Sequence, residues 1–138
     1  SGFHSNGYSL VRKLLKKDET ELKKDLLEPT KLYVRPLQKI RQDYPGLITG
    51  LANITGGGVE NIERMNPQLK YRLDKVPAIS ELPKAMQTII ERSGLQESEL
   101  YKTFNMGMGM VVATQDAEQL ITALSDLDLK SQIIGEVI

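Results

Sequence analysis

Three short segments of the sequence combine glycine with small polar residues, which expose backbone N–H groups to a ligand. The first contains His4, Ser5, Asn6 and Gly7; the second is Thr55, Gly56, Gly57 and Gly58; the third is centred on Asn105. Backbone N–H groups at glycine turns and helix starts favour bound anions. The residue types therefore predict an anion-tolerant site built largely from backbone.

The first segment offers one histidine and the N–H groups of a following helix. The favoured interpretation on chemistry alone is a plain cap of that helix by Ser5 or Asn6, because their side-chain oxygens accept hydrogen bonds from N–H groups of the first turn. His4 is the only histidine of the chain, so a histidine metal cluster is impossible. Nothing in the sequence supports a Ser-His-Asp triad either. Both interpretations, an anion site and a helix cap, stay open.

The second segment follows a predicted strand and precedes a predicted helix. It is not a P-loop, because no Lys-Ser/Thr pair follows, and Asn61 stands where the dinucleotide fingerprint needs its third glycine. Its three glycines allow a ligand to approach the backbone closely, although a tight turn would use them equally well. Gly57→Val is expected to weaken binding of a phosphorylated ligand while leaving the fold largely intact.

The third segment alternates methionine with glycine after Asn105. Met106, Met108 and Met110 would share one face of a strand, and filling of the core is the favoured interpretation. Asn105, at the start of this strand, is the better candidate for a ligand contact. The carboxylates are scattered over presumed helices, so the sequence shows no convincing general base, nucleophile or metal site.

Composition limits the class of protein. The 138 residues suit one domain, and 18 basic side chains balance 18 acidic ones, which argues against non-specific nucleic-acid binding. The chain has no cysteine, so it can form neither disulfides nor thiolate sites. No apolar run approaches the about 20 residues of a membrane span. We expect a cytoplasmic protein that binds neither membranes nor nucleic acids.

Periodicity and turn residues predict six helical segments and four or five strands. The predicted helices cover about 7–17, 36–44, 59–65, a segment capped by Ser80 and ended by Gly94, 97–103, and a segment capped by Asp116. The predicted strands are 31–34, 47–54, 69–74, a strand buried on both faces at 108–114, and 131–138. Residues 18–30 are predicted to be a connection that contains at most one short turn. This order predicts an α/β (α+β) fold: a mixed β-sheet with helices packed chiefly on one face.

The motifs resemble a known family when they are taken together and in order. They read GFHSNGYSLVRKLL, EPTKLYVRPL, GLANITGGGVENIERMNP, ELYKTFNMGMGMVV and IIGEV. This order is similar to that of the C-terminal half of the phosphoribosylformylglycinamidine cyclo-ligase (aminoimidazole ribonucleotide synthetase) family, from residue 1 to residue 138. We therefore expect a single C-terminal domain, 1–138, of a longer enzyme of purine biosynthesis.

The resemblance implies an ATP-dependent ligase. ATP would phosphorylate the formyl oxygen of formylglycinamidine ribonucleotide, and a nitrogen of the amidine would then close the imidazole ring with release of phosphate. ATP and Mg²⁺ would be bound mainly by an N-terminal domain that this chain does not contain, and the full-length enzyme would be a homodimer. The isolated chain is expected to be inactive.

The resemblance also implies roles for the three segments. His4, Ser5, Asn6 and Gly7, then Thr55 to Gly58, then Asn105 would hold the ribose-phosphate end of the substrate and line a cleft facing the N-terminal domain. No residue is assigned as a catalytic acid or base. Two alternatives stay open: the equivalent domain of a related ATP-dependent synthetase, and a stand-alone module that binds a phosphorylated metabolite.

Overall fold

The computed structural model describes residues 2–138, which form six α-helices, two 3₁₀-helices and four short strands. The α-helices are α1 (Tyr8–Leu14), α2 (Thr20–Leu26), α3 (Val34–Asp43), α4 (Lys84–Ser93), α5 (Glu97–Thr103) and α6 (Ala117–Ser125). The 3₁₀-helices are Gly58–Met65 and Ile79–Glu81; the strands are β1 (Gly50–Asn53), β2 (Tyr71–Leu73), β3 (Met110–Ala113) and β4 (Gly135–Val137). No helix in the described part is both long and apolar enough to cross a membrane.

The strands form two separate antiparallel pairs. β1 pairs with β3, with Ala52 opposite Val111, and β2 pairs with β4, with Arg72 opposite Glu136. The predicted class, helices combined with β-structure, is confirmed. The single mixed sheet is replaced by two ladders, because strands of three or four residues leave few hydrogen bonds with which to join the pairs. β3 is half-buried along its length, so the expected burial on both faces is wrong.

Two predictions for residues 18–34 are wrong. The predicted connection contains α2, whose Leu22 and Leu26 lie one turn apart and pack on the main core. The predicted strand at 31–34 does not form; Leu32 is 86% exposed and Val34, at the start of α3, is 66% exposed. The apolar stripe of α2 is short and lies among many charged residues, so the sequence pattern did not reveal the helix. The apolar side chains of Leu32 and Val34 resembled those of a strand although both are exposed.

Helix ends are set by a mixture of expected and unexpected residues. Asp116 accepts a hydrogen bond from the backbone N–H of Gln119, as the predicted cap of α6 requires. Gly94 follows α4 with φ 63°, which confirms the predicted stop. Ser80 is not the cap of α4; it lies in the short 3₁₀-helix, and Pro83 precedes α4. Proline there fixes a φ compatible with the helix start.

A main core holds the elements that carry the candidate site. Its buried members include Phe3, Val11, Leu26, Ile54, Ile62, Met86, Ile89, Leu100, Phe104, Met106 and Met108. The rings of Phe3 and Phe104 lie 4.9 Å apart at their centroids, which fixes the N-terminal segment against the end of α5. Met106 and Met108 fill the core as predicted, although both precede β3.

A second, smaller core lies between α3 and α6. Its buried members are Ile40, Leu47, Leu120, Ala123 and Leu124. Ile48 and Val112 pack against it from the side of the β1–β3 pair. The chain therefore buries its apolar side chains in two groups of unequal size.

Candidate functional site

The three segments singled out by residue type meet in the structure. The side-chain amide of Asn6 donates to the carbonyl oxygen of Ile54, next to the glycine loop, at 3.2 Å. Asn105 donates in the same way to Gly2 at 2.9 Å. Gly58 approaches the end of α5 so closely that a Cβ there would lie 2.8 Å from the carbonyl oxygen of Phe104. Segments far apart in sequence thus form one cluster, here called the glycine cluster.

The two asparagines of the cluster hold backbone from inside the molecule. Asn6 and Asn105 are fully buried. Asn6 also donates to the carbonyl of Phe3 at 3.2 Å, and the Oδ1 of Asn105 accepts from the backbone N–H of Gly107 at 3.3 Å. The Oδ1 of Asn6 is buried without a hydrogen-bond partner. Contact of Asn6 and Asn105 with substrate stays a prediction. Their observed hydrogen bonds hold the backbone of the site from the interior of the protein.

The predicted capping of α1 by Ser5 or Asn6 is wrong. Gly7 precedes the helix with φ 63°, and no side chain caps it. The Asn6 amide is engaged with carbonyl groups of other segments, and Ser5 is exposed. A side chain at position 7 would overlap the ring of Phe104. Glycine is therefore required there both for its φ and for space.

His4 lies at the edge of the glycine cluster in a strained conformation. Its φ is 53°, in the left-handed region that non-glycine residues seldom adopt. Burial lowers the pKa of His4 below its ordinary value; Lys31 lowers the pKa as well, whereas Glu28 raises it. The imidazole is therefore mainly neutral near pH 7, when it can both donate and accept a hydrogen bond.

The glycines of the loop differ in what they require. Gly57 and Gly58 have φ of 99° and 57°, and a side chain at 58 would run into the carbonyl oxygen of Tyr101. Gly56 is exposed, lies outside the left-handed region and has no atom near the position of a Cβ. Valine at 57 would strain the backbone. Gly57→Val was expected to leave the fold largely intact, but it would distort the loop itself, so Gly56 is the position at which to test binding.

Asn61 holds the glycine loop in shape. Its side-chain amide donates to the carbonyl oxygens of Gly58 at 2.6 Å and Gly56 at 3.2 Å, and its Oδ1 accepts from the hydroxyl of Thr55 at 3.2 Å. The residue is buried. From the sequence, Asn61 stood out only as the residue in place of a third glycine, and no role was predicted for it. An amide shortly after a run of glycines was the available signal.

A groove of about 670 Å³ opens beside the glycine cluster. Its walls come from β3, the β2–β4 pair, α6 and the segment before α3, and they include Lys31, Tyr33, Gly107, Met108 and Gly109. None of the nine predicted site residues lines it. The groove and the cluster adjoin at Gly109, where Tyr33 and His4 approach the same backbone atom. Tyr33 is not among the residues predicted from the sequence, because an isolated tyrosine carries no distinctive spacing.

Comparison with known proteins gives a match over the whole chain. Residues 1–138 match the family model described as AIR synthase related protein, C-terminal domain. The chain is 43% identical to the phosphoribosylformylglycinamidine cyclo-ligase of Pseudothermotoga lettingae, covering 100% of the chain and 44% of the relative. It is 38% identical to that of Methanopyrus kandleri, covering 99% of the chain and 41% of the relative. It is also 38% identical to the Bacillus cereus protein of the same name, covering 100% of the chain and 43% of the relative.

These comparisons confirm the resemblance seen in the motifs. The chain spans less than half the length of the curated relatives it matches. The matched part is their C-terminal portion.

Proposed function

Because the chain belongs to the family described as AIR synthase related protein, C-terminal domain, we propose that it is the C-terminal part of a phosphoribosylformylglycinamidine cyclo-ligase. The full-length protein would convert formylglycinamidine ribonucleotide to aminoimidazole ribonucleotide in purine biosynthesis. The observation that carries the proposal is the match of the whole chain to cyclo-ligases of three organisms.

We place the phosphorylated end of the substrate at the glycine cluster. Gly56 and Gly57 are exposed and precede a 3₁₀-helix, so their backbone N–H groups can face an anion. Asn61, Asn6 and Asn105 hold the supporting backbone by hydrogen bonds made behind the surface. Preformed donors lose little conformational entropy on binding, which favours affinity. The chain would thereby position one end of the substrate for ring closure.

ATP and Mg²⁺ would belong mainly to the rest of the full-length polypeptide. ATP would supply the activation of the formyl oxygen, and Mg²⁺ would screen its phosphates. Magnesium prefers several oxygen ligands, and no three His, Cys, Asp or Glu side chains within residues 2–138 gather where they could hold a metal ion. In this proposal the chain contributes substrate binding, and the isolated chain would not catalyse ring closure.

The same proposal covers partners and location. The full-length enzyme would contain an N-terminal domain packed against this chain, would form a homodimer and would work in the cytoplasm. The balanced charge, with 18 basic and 18 acidic side chains, gives no basic surplus for nucleic acid.

A chimera tests the proposal. This chain would replace the matched C-terminal part of the Pseudothermotoga lettingae cyclo-ligase, and ring closure would be assayed with formylglycinamidine ribonucleotide and ATP. We expect the chimera to be active, and we expect Gly56→Asp to raise KM about tenfold, equivalent to roughly 1.4 kcal/mol, because a carboxylate would repel the substrate phosphate.

The matched control is Gly56→Asn, which has the same shape without the charge. We expect it to change KM by less than about twofold, since a side chain at this position meets no other atom. Equal effects of the two substitutions would remove the loop from the phosphate site. A correctly folded chimera without ring closure would contradict the proposed activity itself.

A further inference from the structure

Gly109 is the point where two residues from separate parts of the chain come together. A Cβ built on Gly109 would overlap both the hydroxyl oxygen of Tyr33 and the Cε1 atom of His4. Both atoms therefore lie directly beside the Cα of Gly109. Tyr33 ends the segment between α2 and α3, and His4 belongs to the turn before α1.

Glycine at this position is required for space and not for its backbone conformation. The φ of Gly109 lies outside the left-handed region, so any residue could adopt its backbone. Its carbonyl oxygen accepts from the N–H of Ile54 at 3.1 Å, an ordinary main-chain hydrogen bond. The close approach of Tyr33 and His4 is what a side chain at 109 would destroy.

The position of Tyr33 connects the groove to the glycine cluster. Tyr33 and Gly109 both line the groove, whereas His4 belongs to the cluster on the other side of this contact. Tyr33 is half-buried, although its neighbours Leu32 and Val34 are exposed. The inward side chain thus attaches an otherwise exposed segment to the edge of the site.

His4 needs such a support because its own backbone does not favour its conformation. A non-glycine residue at φ 53° is held there by its surroundings. The orientation of an imidazole decides which ring nitrogen faces a ligand. We infer that Tyr33 is a positioning residue, which fixes the orientation of the His4 imidazole in the candidate site. The inference rests on the proposed function for the identity of the ligand, but the contact itself can be tested without ligand.

The test uses the His4 Cε1–H resonance, which needs no assignment because the chain has one histidine. Spectra of the ¹³C-histidine-labelled chain would be compared with those of Tyr33→Phe and of Tyr44→Phe. Tyr44, at the end of α3 and 37% exposed, is the matched control. We expect Tyr33→Phe to shift the His4 resonance and Tyr44→Phe to leave it in place, with backbone amide spectra unchanged elsewhere in both.

The second readout is the Kd of the chain for formylglycinamidine ribonucleotide, measured by calorimetry. Loss of one positioning hydroxyl should weaken binding about fivefold in Tyr33→Phe, with no change in Tyr44→Phe.

Gly109→Ala should shift the His4 resonance as well, by separating the side chains of Tyr33 and His4. A His4 resonance that Tyr33→Phe leaves in place overturns the inference, and so does a shifted resonance with unaltered affinity. If the wild-type chain binds no ribonucleotide, the proposed phosphate site fails, while the resonance still decides whether Tyr33 orients His4.

Discussion

Buried asparagine side chains support the candidate site from the interior of the protein. The buried polar side chains among the described residues are Asn6, Asn61 and Asn105. Each donates to main-chain carbonyl oxygen: Asn6 and Asn105 to a segment distant in sequence, and Asn61 to its own glycine loop. An amide offers two donors without a charge, so it can satisfy buried carbonyls at a smaller desolvation cost than lysine or arginine.

Replacing Asn61 with alanine should destabilise the chain by about 2 kcal/mol, because buried carbonyls of the glycine loop lose their donor. Urea denaturation would measure the loss. Asn53→Ala is the control, since Asn53 is exposed on β1. If both variants unfold at the same urea concentration, Asn61 does not hold the loop.

At the scale of elements, Arg92 joins α4 to the chain between α1 and α2. Its guanidinium binds both carboxylate oxygens of Glu19, at 2.8 Å and 2.5 Å, and donates to the carbonyl of Leu14 at 3.4 Å. The hydrogen bonds from Arg92, with a further one from the backbone N–H of Lys16, lower the pKa of Glu19 to about 2. A two-bond pair of this kind fixes geometry better than a single surface contact. It positions α2, the helix that sequence patterns missed.

Glu19→Gln should lower the Tm at pH 7, and the difference from wild type should shrink as the pH falls. The folded state holds Glu19 at a pKa below the ordinary 4.5, so the ion pair stabilises the fold fully above that value. Its contribution is lost as the pH falls toward 2. Thermal unfolding between pH 7 and pH 2 would measure this dependence.

The control for Glu19 is Glu21→Gln. Glu21 pairs with Lys24 at 2.7 Å, but their side chains are 83% and 66% exposed, and such pairs contribute little. We expect Glu21→Gln to follow the wild type at every pH. A Tm difference for Glu19→Gln that stays constant down to pH 2 would show that the pair is not the cause.

At the scale of the whole molecule, the two apolar cores differ in size, so the parts of the chain around them should differ in their free energy of local unfolding. The main core joins the N-terminal segment, α4, α5 and the glycine cluster. The core between α3 and α6 contains far fewer buried side chains. Local unfolding is easiest where little apolar surface is buried. The glycine cluster belongs to the larger core, which should resist local unfolding more strongly.

Amide hydrogen exchange should therefore be faster in α3 and α6 than in α4. Ile40→Val, which removes one buried methylene between α3 and α6, should speed exchange in α6 about fivefold, equivalent to roughly 1 kcal/mol. Exchange at Met86 and Ile89 in α4 should be unchanged, because they lie in the other core. Equal acceleration in all three helices would show that the chain opens as one unit.

The sequence by itself determined the family, the class of fold, most helices and which segments could carry a site. Periodicity and the stop at Gly94 identified α4, and the cap at Asp116 identified α6, because these signals act within a few residues. It did not determine how the strands pair or what the polar side chains contact. Asn105 donates to the carbonyl of Gly2 across 103 positions, and Tyr33 and His4 both lie beside Gly109. Contacts of this range depend on the path of the whole chain through its cores, so only the tertiary structure decided that Asn6 is a buried brace and that Tyr33 belongs beside the site.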